Sequence, residues 1–204
     1  MTTMMTTAEI ETAKQLIAAN PKLTGFVPGE GSLTPKLAII SEAPGAKEAA
    51  LGHPFQGPAG QELNEWLAQL GVTRDQIYIT GAVRARPFDE HDGRLRDRKP
   101  TAAEVAAFAP LLDHELARMP INTLILPLGN TGLQRLLGPR YKITQVHGQL
   151  IKAPLLQYHP AIKRYEAGNQ IMSLFPMFHP SYVRRFPSKR PLIEADLAVL
   201  KALL

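Results

Sequence analysis

The chain has 204 residues, of which 45% are hydrophobic, with a net charge of +5 at pH 7 and no cysteine. This length and apolar content predict one domain, residues 1–204, with a sizeable core, and the missing thiols exclude disulfides, thiolate metal sites and a cysteine nucleophile. The sequence contains neither an apolar run long enough to span a membrane nor a charged-then-apolar leader. We therefore expect a cytoplasmic protein. Residues 1–7 are expected to form a ragged terminus.

Helical and strand patterns alternate along the chain. The expected helices carry apolar residues at helical spacing, and they cover residues 8–19, 58–70, 101–116 and 129–137, with a last helix that begins after Ser188 or Arg190. Pro110 is expected to kink the third helix. The expected strands are short apolar runs, and they cover residues 37–41, 77–80, 122–128 and 174–178. Residues 84–100 form a charged loop, and residues 141–158 a hairpin or an irregular insertion.

This alternation predicts a three-layer α/β/α sandwich with a central four-stranded parallel sheet. Glu42, Gly81 and His179 each follow the end of an expected strand, and Phe55 lies between turn residues in the loop after the first strand. The carboxyl ends of parallel strands meet at one edge of such a sheet, where ligands bind. The four residues are therefore expected to converge on one site.

The positive charge falls in two clusters. Residues 84–99 contain six Lys or Arg and four acids, and residues 184–190 contain four Lys or Arg and no acid. Basic clusters beside turn-rich loops favour a polyanionic partner, and nucleic acid is the simplest candidate. A solvated surface is the competing interpretation of both clusters.

Five motifs in chain order resemble the uracil-DNA glycosylase superfamily, in particular the bacterial and archaeal family 4. They are GEGSLTPKLAIISEAPG (29–45), GHPFQGPAGQEL (52–63), YITGAVRARP (78–87), LPLGNTGLQRLLG (126–138) and FHPSYVRR (178–185). The resemblance implies a four-stranded parallel sheet between helices and hydrolysis of the N-glycosidic bond of a deaminated base in DNA. Such a base has to be flipped out of the stack and held by stacking and by hydrogen bonds to its edge.

The resemblance also implies roles for single residues. Phe55 occupies the stacking position, although a loop Phe can also be a lid over the core. Glu42 matches the acid that positions water and stabilises a cationic sugar; the alternative is a carboxylate that only holds the loop backbone. Ser41, Ala43 and Gly81 are expected to contact the base.

His179 matches the histidine that stabilises the negative charge on the departing base. A second His-Pro pair begins at His159, but it lies in the expected insertion, and we expect it at the surface. Ser181, Arg184, Arg185 and Lys189 follow the His179 motif and are expected to contact DNA phosphates. A solvated face before the last helix would explain the same charges.

The chain departs at three places from the pattern of the family that it resembles. Where iron–sulfur relatives have cysteines, this chain has residues 19–22, Ala85 and Phe108, so we expect no cofactor, iron–sulfur cluster or metal, and apolar packing instead. Gly81 replaces an asparagine that reads the pyrimidine edge, which predicts weaker recognition of uracil or a preference for other deaminated bases; a turn requirement would also explain a glycine. Asp97 stands where a covalently trapping branch has histidine, and no covalent capture is expected.

We therefore predict a DNA-repair glycosylase acting on DNA that contains a deaminated base. The retained Glu42, Phe55 and His179 favour an enzyme, whereas Gly81 favours the alternative of a non-catalytic relative that binds damaged or single-stranded DNA. A nucleotide-binding α/β protein is a weaker third option, because the chain has neither a Walker A nor a dinucleotide-binding glycine motif.

Overall fold

The fold of residues 2–204, the part of the chain that the computed structural model describes, contains eight α-helices and nine strands. The helices are α1 (Thr7–Ala18), α2 (Ala46–Leu51), α3 (Pro58–Leu70), α4 (Ala102–Arg118), α5 (Gly129–Leu137), α6 (Ile143–Val146), α7 (Pro180–Arg185) and α8 (Arg190–Lys201), with a 3₁₀ turn at Pro187–Lys189. The strands are β1 (Leu23–Thr24), β2 (Glu30–Gly31), β3 (Leu37–Ser41), β4 (Tyr78–Gly81), β5 (Arg86–His91), β6 (Arg94–Asp97), β7 (Leu124–Pro127), β8 (Ile151–His159) and β9 (Arg164–Leu174). No helix in this range has the length and apolar character needed to cross a membrane.

Six strands form the central sheet, in the order β2-β4-β3-β7-β9-β8. The four inner strands run parallel to one another, whereas β2 and β8 pair antiparallel with β4 and β9 at the two edges. The predicted α/β fold with four parallel strands is therefore confirmed, and the structure adds one antiparallel strand at each edge. β2 has only two residues, so its sequence carries no strand pattern.

The fourth parallel strand, β9, begins ten residues before the apolar run 174–178 that predicted it. Most of β9 pairs with β8 in a long hairpin, and much of it is exposed, which explains its polar sequence. Only its last two residues pair with β7, and residues 175–177 continue beside β7 through two backbone hydrogen bonds of 2.8 and 3.1 Å.

The main core lies around the parallel strands. Residues 37–40 of β3 are at most 1% exposed, and the apolar faces of α3, α4, α5 and α8 belong to the same cluster. α4 continues through Pro110 without ending. The strand registers, with Ser41 opposite Gly81 and Ile40 opposite Pro127, bring the carboxyl ends of β3, β4 and β7 to one edge.

A second apolar cluster joins α1, β1, α4 and the residues after β4. Ala85 and Phe108, which the resemblance places at two positions of cluster cysteines, are 0% and 1% exposed inside it. Because the chain also has no cysteine, the residues present do not fit a thiolate-held iron–sulfur cluster. Apolar packing holds this region together.

The prediction of a ragged terminus is wrong for the described residues before α1. Met4 is buried in the main core and Met5 in the second cluster. Thr6 caps α1, since its hydroxyl accepts the Glu9 N–H and the Glu9 carboxylate accepts the Thr6 N–H. The burial of the two methionines and this capping box order the segment.

The charged stretch 84–100, predicted as a loop, contains the β5–β6 hairpin, which pairs with β1 in a separate three-stranded sheet. Asp92 and Gly93 form its turn with φ values of 51° and 70°. Two consecutive left-handed residues match the twist of a tight hairpin, and Asp-Gly is a favoured pair there. The turn signal was present in the sequence, but the strands beside it are too charged to show an apolar alternation.

Candidate functional site

A cavity of about 430 Å³ opens at the carboxyl ends of β3 and β4. It is also lined by the loop between α2 and α3, by α7 and the residue before it, and by the end of the β5–β6 hairpin. Among its lining residues are all but one of the predicted site residues: Ser41, Glu42, Ala43, Phe55, Gly81, His179, Ser181, Arg184 and Arg185. The exception is Lys189, which is exposed at the end of the 3₁₀ turn.

Glu42 follows β3 directly and is partly buried at the cavity wall. Its carboxylate accepts a hydrogen bond from the Thr131 hydroxyl of α5, a partner that sequence reasoning did not identify. Its carbonyl accepts the Val83 N–H at 3.1 Å, while the Ser41 carbonyl accepts the Ala82 N–H at 2.9 Å. The backbone on both sides of the carboxylate is thus tied to the segment after β4.

Phe55 has a left-handed backbone, with a φ of 53°. This conformation is uncommon for an aromatic residue and costs on the order of 1–3 kcal/mol. The Phe55 ring stacks on the His179 ring with centroids 5.6 Å apart and planes 24° apart. A Cβ on Gly60 would lie 1.8 Å from the Phe55 carbonyl oxygen, so the close approach of α3 to this loop requires glycine at position 60.

Glu48 connects the two loop segments around the cavity. Its carboxylate accepts the backbone N–H groups of Gln56 and Gly57, both at 2.8 Å, and that of Gly45 at 3.2 Å. Sequence reasoning missed this residue, although a Glu three positions after the N-cap of a helix is a capping signal. Charge-assisted bonds to three backbone donors make Glu48 a structural centre of the site.

His179 is the N-cap residue of α7. Its Nδ1 accepts the Ser181 N–H at 3.2 Å, and the Ser181 hydroxyl lies 2.8 Å from the same nitrogen. Burial, and next the positive charge of Arg185, lower the pKa of His179 to about 4. The imidazole is therefore neutral at neutral pH, and because Nδ1 is an acceptor its proton is on Nε2.

Gly81 ends β4 opposite Ser41, and its φ lies outside the left-handed range. A Cβ there would meet the Val83 carbonyl oxygen at 3.3 Å and the Glu42 carbonyl oxygen at 3.5 Å, so a small shift would admit a side chain. The Gly81 carbonyl accepts a hydrogen bond from the guanidinium of Arg84. A requirement for a left-handed turn does not explain this glycine.

Arg84 belongs to a buried polar network behind the cavity floor. It pairs with Glu115, which also accepts the hydroxyl protons of Tyr78 at 2.7 Å and Thr80 at 2.9 Å. Burial and the neighbouring Glu115 carboxylate raise the pKa of Tyr78 far above its usual value. The phenol therefore stays protonated and acts as a hydrogen-bond donor to the carboxylate. Sequence reasoning had counted Arg84 only as part of a basic cluster.

His159 lies away from the cavity, at the end of β8, as the sequence predicted for the second His-Pro pair. Its side chain is 47% exposed and 3.5 Å from the Glu166 carboxylate. Within residues 2–204, no group of three or more His, Asp or Glu side chains is arranged to hold a metal ion.

The parallel sheet and the cavity at its carboxyl edge place the chain in the class of α/β proteins that bind ligands beyond the ends of their strands. A family model described as the uracil DNA glycosylase superfamily matches residues 28–201. The chain belongs to this superfamily.

Several curated relatives are similar over most of their length. The chain is 35% identical over 176 residues to the type-4 uracil-DNA glycosylase of Pyrobaculum aerophilum, covering 85% of this chain and 80% of the relative. It is 32% identical over 184 residues to the type-4 uracil-DNA glycosylase of Thermotoga maritima, covering 88% and 83%. The solved structure of SMUG2 from Pedobacter heparinus shares the fold, with a TM-score of 0.52 and 14% identity over 83% of this chain and 76% of that one.

Proposed function

We propose that this protein is a DNA-repair glycosylase that hydrolyses the N-glycosidic bond of a deaminated base flipped out of DNA. The observation that carries the proposal is the convergence of Glu42, Phe55 and His179 on one cavity at the carboxyl edge of the sheet. The volume of about 430 Å³ lies in the usual range for small-ligand sites. The similarity of the chain to two type-4 uracil-DNA glycosylases supports the same reaction.

The flipped base stacks on the Phe55 ring, and residues 41–43 and 81 contact its edge. As the bond between the sugar C1′ and the base nitrogen breaks, its electron pair leaves with the base. The Nε2–H of His179 donates a hydrogen bond to the anionic base oxygen. A neutral imidazole suits this task because it has one N–H to donate and its other nitrogen is already held by Ser181.

The Glu42 carboxylate stabilises the positive charge that develops on the sugar. It also orients the water that attacks C1′ and accepts the water proton as the new C–O bond forms; the carboxylate passes this proton to solvent, and the anionic base takes up a proton from solvent. The Thr131 hydroxyl fixes the orientation of this carboxylate. The products are the free base and an abasic site.

Arg184, Arg185 and Lys189 bind backbone phosphates beside the cavity and supply the salt-dependent part of the affinity. Ser181, predicted to contact a phosphate, also holds the catalytic histidine. Its N–H donates to Nδ1 of His179, and its hydroxyl lies within hydrogen-bond distance of the same nitrogen. The cytoplasmic location predicted from the sequence stays a prediction, which fractionation of cells that express the chain would test.

An abasic-site assay tests the proposed reaction. Oligonucleotides carrying uracil, hypoxanthine or xanthine, in single and double strands, are incubated with the protein and then cleaved with alkali at abasic sites. We expect turnover on at least one of them, and a loss of that turnover in a Glu42→Gln/His179→Ala variant. A folded protein that binds these oligonucleotides without releasing any base would instead be the non-catalytic DNA-binding relative.

A further inference from the structure

Arg74 lies between α3 and β4, outside the lining of the cavity, and holds the backbone of the Phe55 loop. Its Nη1 donates to the Pro54 carbonyl at 3.0 Å and its Nη2 to the Phe55 carbonyl at 2.7 Å. Its Nε donates to Oδ1 of Asn64 at 2.8 Å. The planar guanidinium can serve two neighbouring carbonyls at once, and the third bond fixes its plane.

The same loop is held from the opposite side by Glu48. The Phe55 carbonyl, which accepts from Arg74, and the Gln56 N–H, which donates to Glu48 at 2.8 Å, belong to one peptide unit. A cation thus binds the oxygen of this peptide and an anion binds its N–H. Both bonds are charge-assisted, and together they fix the rotation of the peptide plane.

This peptide directly follows Phe55, a cavity residue whose backbone is left-handed. Phe55 has a φ of 53° and is 8% exposed, with its ring against the ring of His179. A non-glycine residue keeps such a conformation only when its surroundings determine it. Without the Arg74 contacts, the Pro54 and Phe55 carbonyls lose the donors that oppose relaxation of the loop.

We propose that Arg74 is a positioning residue for base excision, which acts by fixing the Phe55 peptide and hence the direction of the stacking ring. The inference rests on the proposed function, in which Phe55 stacks on the flipped base. Arg74 does not line the cavity, so it acts on the reaction through the loop that it holds, whose residues Pro54 and Phe55 do line it; the proposal assigns this effect to Phe55. Stacking of a base on an aromatic ring contributes to binding, and loss of ring alignment removes part of this contribution.

A double-mutant cycle tests that route. In the otherwise unchanged protein, Arg74→Gln lowers kcat/KM for excision about tenfold, consistent with partial loss of stacking. In the Phe55→Ala background, the same substitution changes kcat/KM less than about twofold, because the ring it positions is gone. Equal losses in the two backgrounds would mean that Arg74 supports the fold in general, and the proposal would be overturned. Arg140→Gln is the matched control, since it removes one arginine charge outside the cavity lining and leaves kcat/KM unchanged.

Hydrogen exchange supplies a readout that does not depend on catalysis. In Arg74→Gln, the Gln56 and Gly57 amides held by Glu48 exchange faster, while the amides in the middle of α3 keep their protection. Asn64→Ala, which removes only the exposed partner of Nε, gives a smaller change in the same direction and guards against a misfolded first variant. Unchanged exchange at residues 56 and 57 in both variants would show that Arg74 does not fix the Phe55 peptide, and the proposal would be overturned. If the parent protein excises no base while exchange responds as expected, the proposed function is wrong, but the conclusion that Arg74 fixes the Phe55 peptide stands.

Discussion

Two walls of the cavity carry the basic clusters of the chain, and they use their arginines differently. In the hairpin wall, residues 84–98, Arg84 pairs with Glu115, Arg86 with Asp97 at 2.5 Å, and Arg98 with Glu104 at 2.7 Å. The other two arginines of this wall, Arg94 and Arg96, are exposed and have no ion pair within residues 2–204. In the α7 wall, residues 179–190, Arg184, Arg185 and Lys189 are exposed and make no ion pair with any residue in the range 2–204, whereas Arg190 pairs with Glu62 at 2.9 Å.

The difference separates two roles that the sequence merges. Three arginines of the hairpin wall hold carboxylates of the protein itself and so help to shape the cavity. Arg184 and Arg185 of the α7 wall are available to a polyanion, and they line the cavity together with the histidine that we propose for catalysis. Local charge counts in the sequence cannot show this, because Glu104 and Glu115 lie on α4, outside the basic cluster they neutralise.

The largest expected effect comes from breaking the buried Arg84–Glu115 pair of the hairpin wall, which lies behind the cavity floor. Arg84→Ala leaves the Glu115 carboxylate without its cation at a site that is 0% exposed. Removing one partner of a buried pair costs about 3–5 kcal/mol of unfolding free energy. Urea unfolding should show this loss, while Arg184→Ala in the other wall stays within about 0.5 kcal/mol. Similar small effects for both substitutions would contradict the division between the walls.

Loss of the catalytic donor in the α7 wall comes next. His179→Ala should lower single-turnover excision by at least about 10²-fold, the usual effect of removing one donor to a developing anion. His159→Ala, at the exposed end of β8, should leave the rate nearly unchanged. An exchange of these two outcomes would show that the wrong histidine was assigned.

The lowered pKa of His179 predicts how stability changes with pH. The folded protein keeps this imidazole neutral down to about pH 4, whereas in the unfolded chain it takes up a proton near pH 6.5. The contribution of His179 to stability is therefore complete above pH 6.5 and is lost as the pH falls from 6.5 towards 4. Comparing urea unfolding of the parent protein and His179→Gln across this window isolates the effect. Parallel curves for the two proteins would argue against a buried neutral histidine.

Much of the fold could be predicted from the sequence because its parallel strands are buried. The apolar runs at β3, β4 and β7 stand out between turn residues, and their chain order places Glu42 and Gly81 at one edge. The hairpin β5–β6 escaped prediction, and the hairpin or insertion expected at residues 141–158 is a longer hairpin at residues 151–174. The exposed faces of both hairpins carry charged and polar residues in place of a clear apolar alternation.

The partners of the site residues could not be predicted in the same way. Thr131 is 89 positions from Glu42, and Arg74 is 19 positions from the Phe55 carbonyl that it binds. Such contacts depend on how helices and loops pack after the sheet has formed, and no local pattern records them. At Gly81 the sequence showed the change, a glycine in place of the asparagine of the family. It could not show that the backbone there is not left-handed, which only the structure gives.

The salt dependence of DNA binding tests the α7 wall directly. Each phosphate contact contributes about 0.9 to the slope of log affinity against log salt. Arg184→Ala/Arg185→Ala should therefore flatten the slope by nearly two units, measured by fluorescence anisotropy on a labelled duplex. Arg86→Ala, whose guanidinium is held by Asp97, is the control and should change the slope by much less. Equal changes would mean that both walls contact phosphates alike.

The smallest expected effect concerns Gly81, which lies on the cavity floor between the walls. An asparagine there can pair with the N3–H and O4 edge of uracil, which glycine leaves without a partner. One hydrogen bond gained in a buried site is worth about 1 kcal/mol, or roughly fivefold in rate. Gly81→Asn should therefore raise single-turnover excision of uracil relative to hypoxanthine by about this factor.

The backbone permits this test, because the nearest atoms to a Cβ at position 81 are the Val83 and Glu42 carbonyl oxygens, at 3.3 and 3.5 Å, and no left-handed φ is involved. Gly81→Ala adds the same Cβ without an amide, so it measures the cost of the Cβ alone. A gain in selectivity seen with Asn and not with Ala assigns the effect to hydrogen bonding at the base edge. If both variants remain folded and excise the two bases in the same ratio as the parent protein, Gly81 does not set selectivity. The explanation for the glycine would then be the close approach of the two carbonyl oxygens.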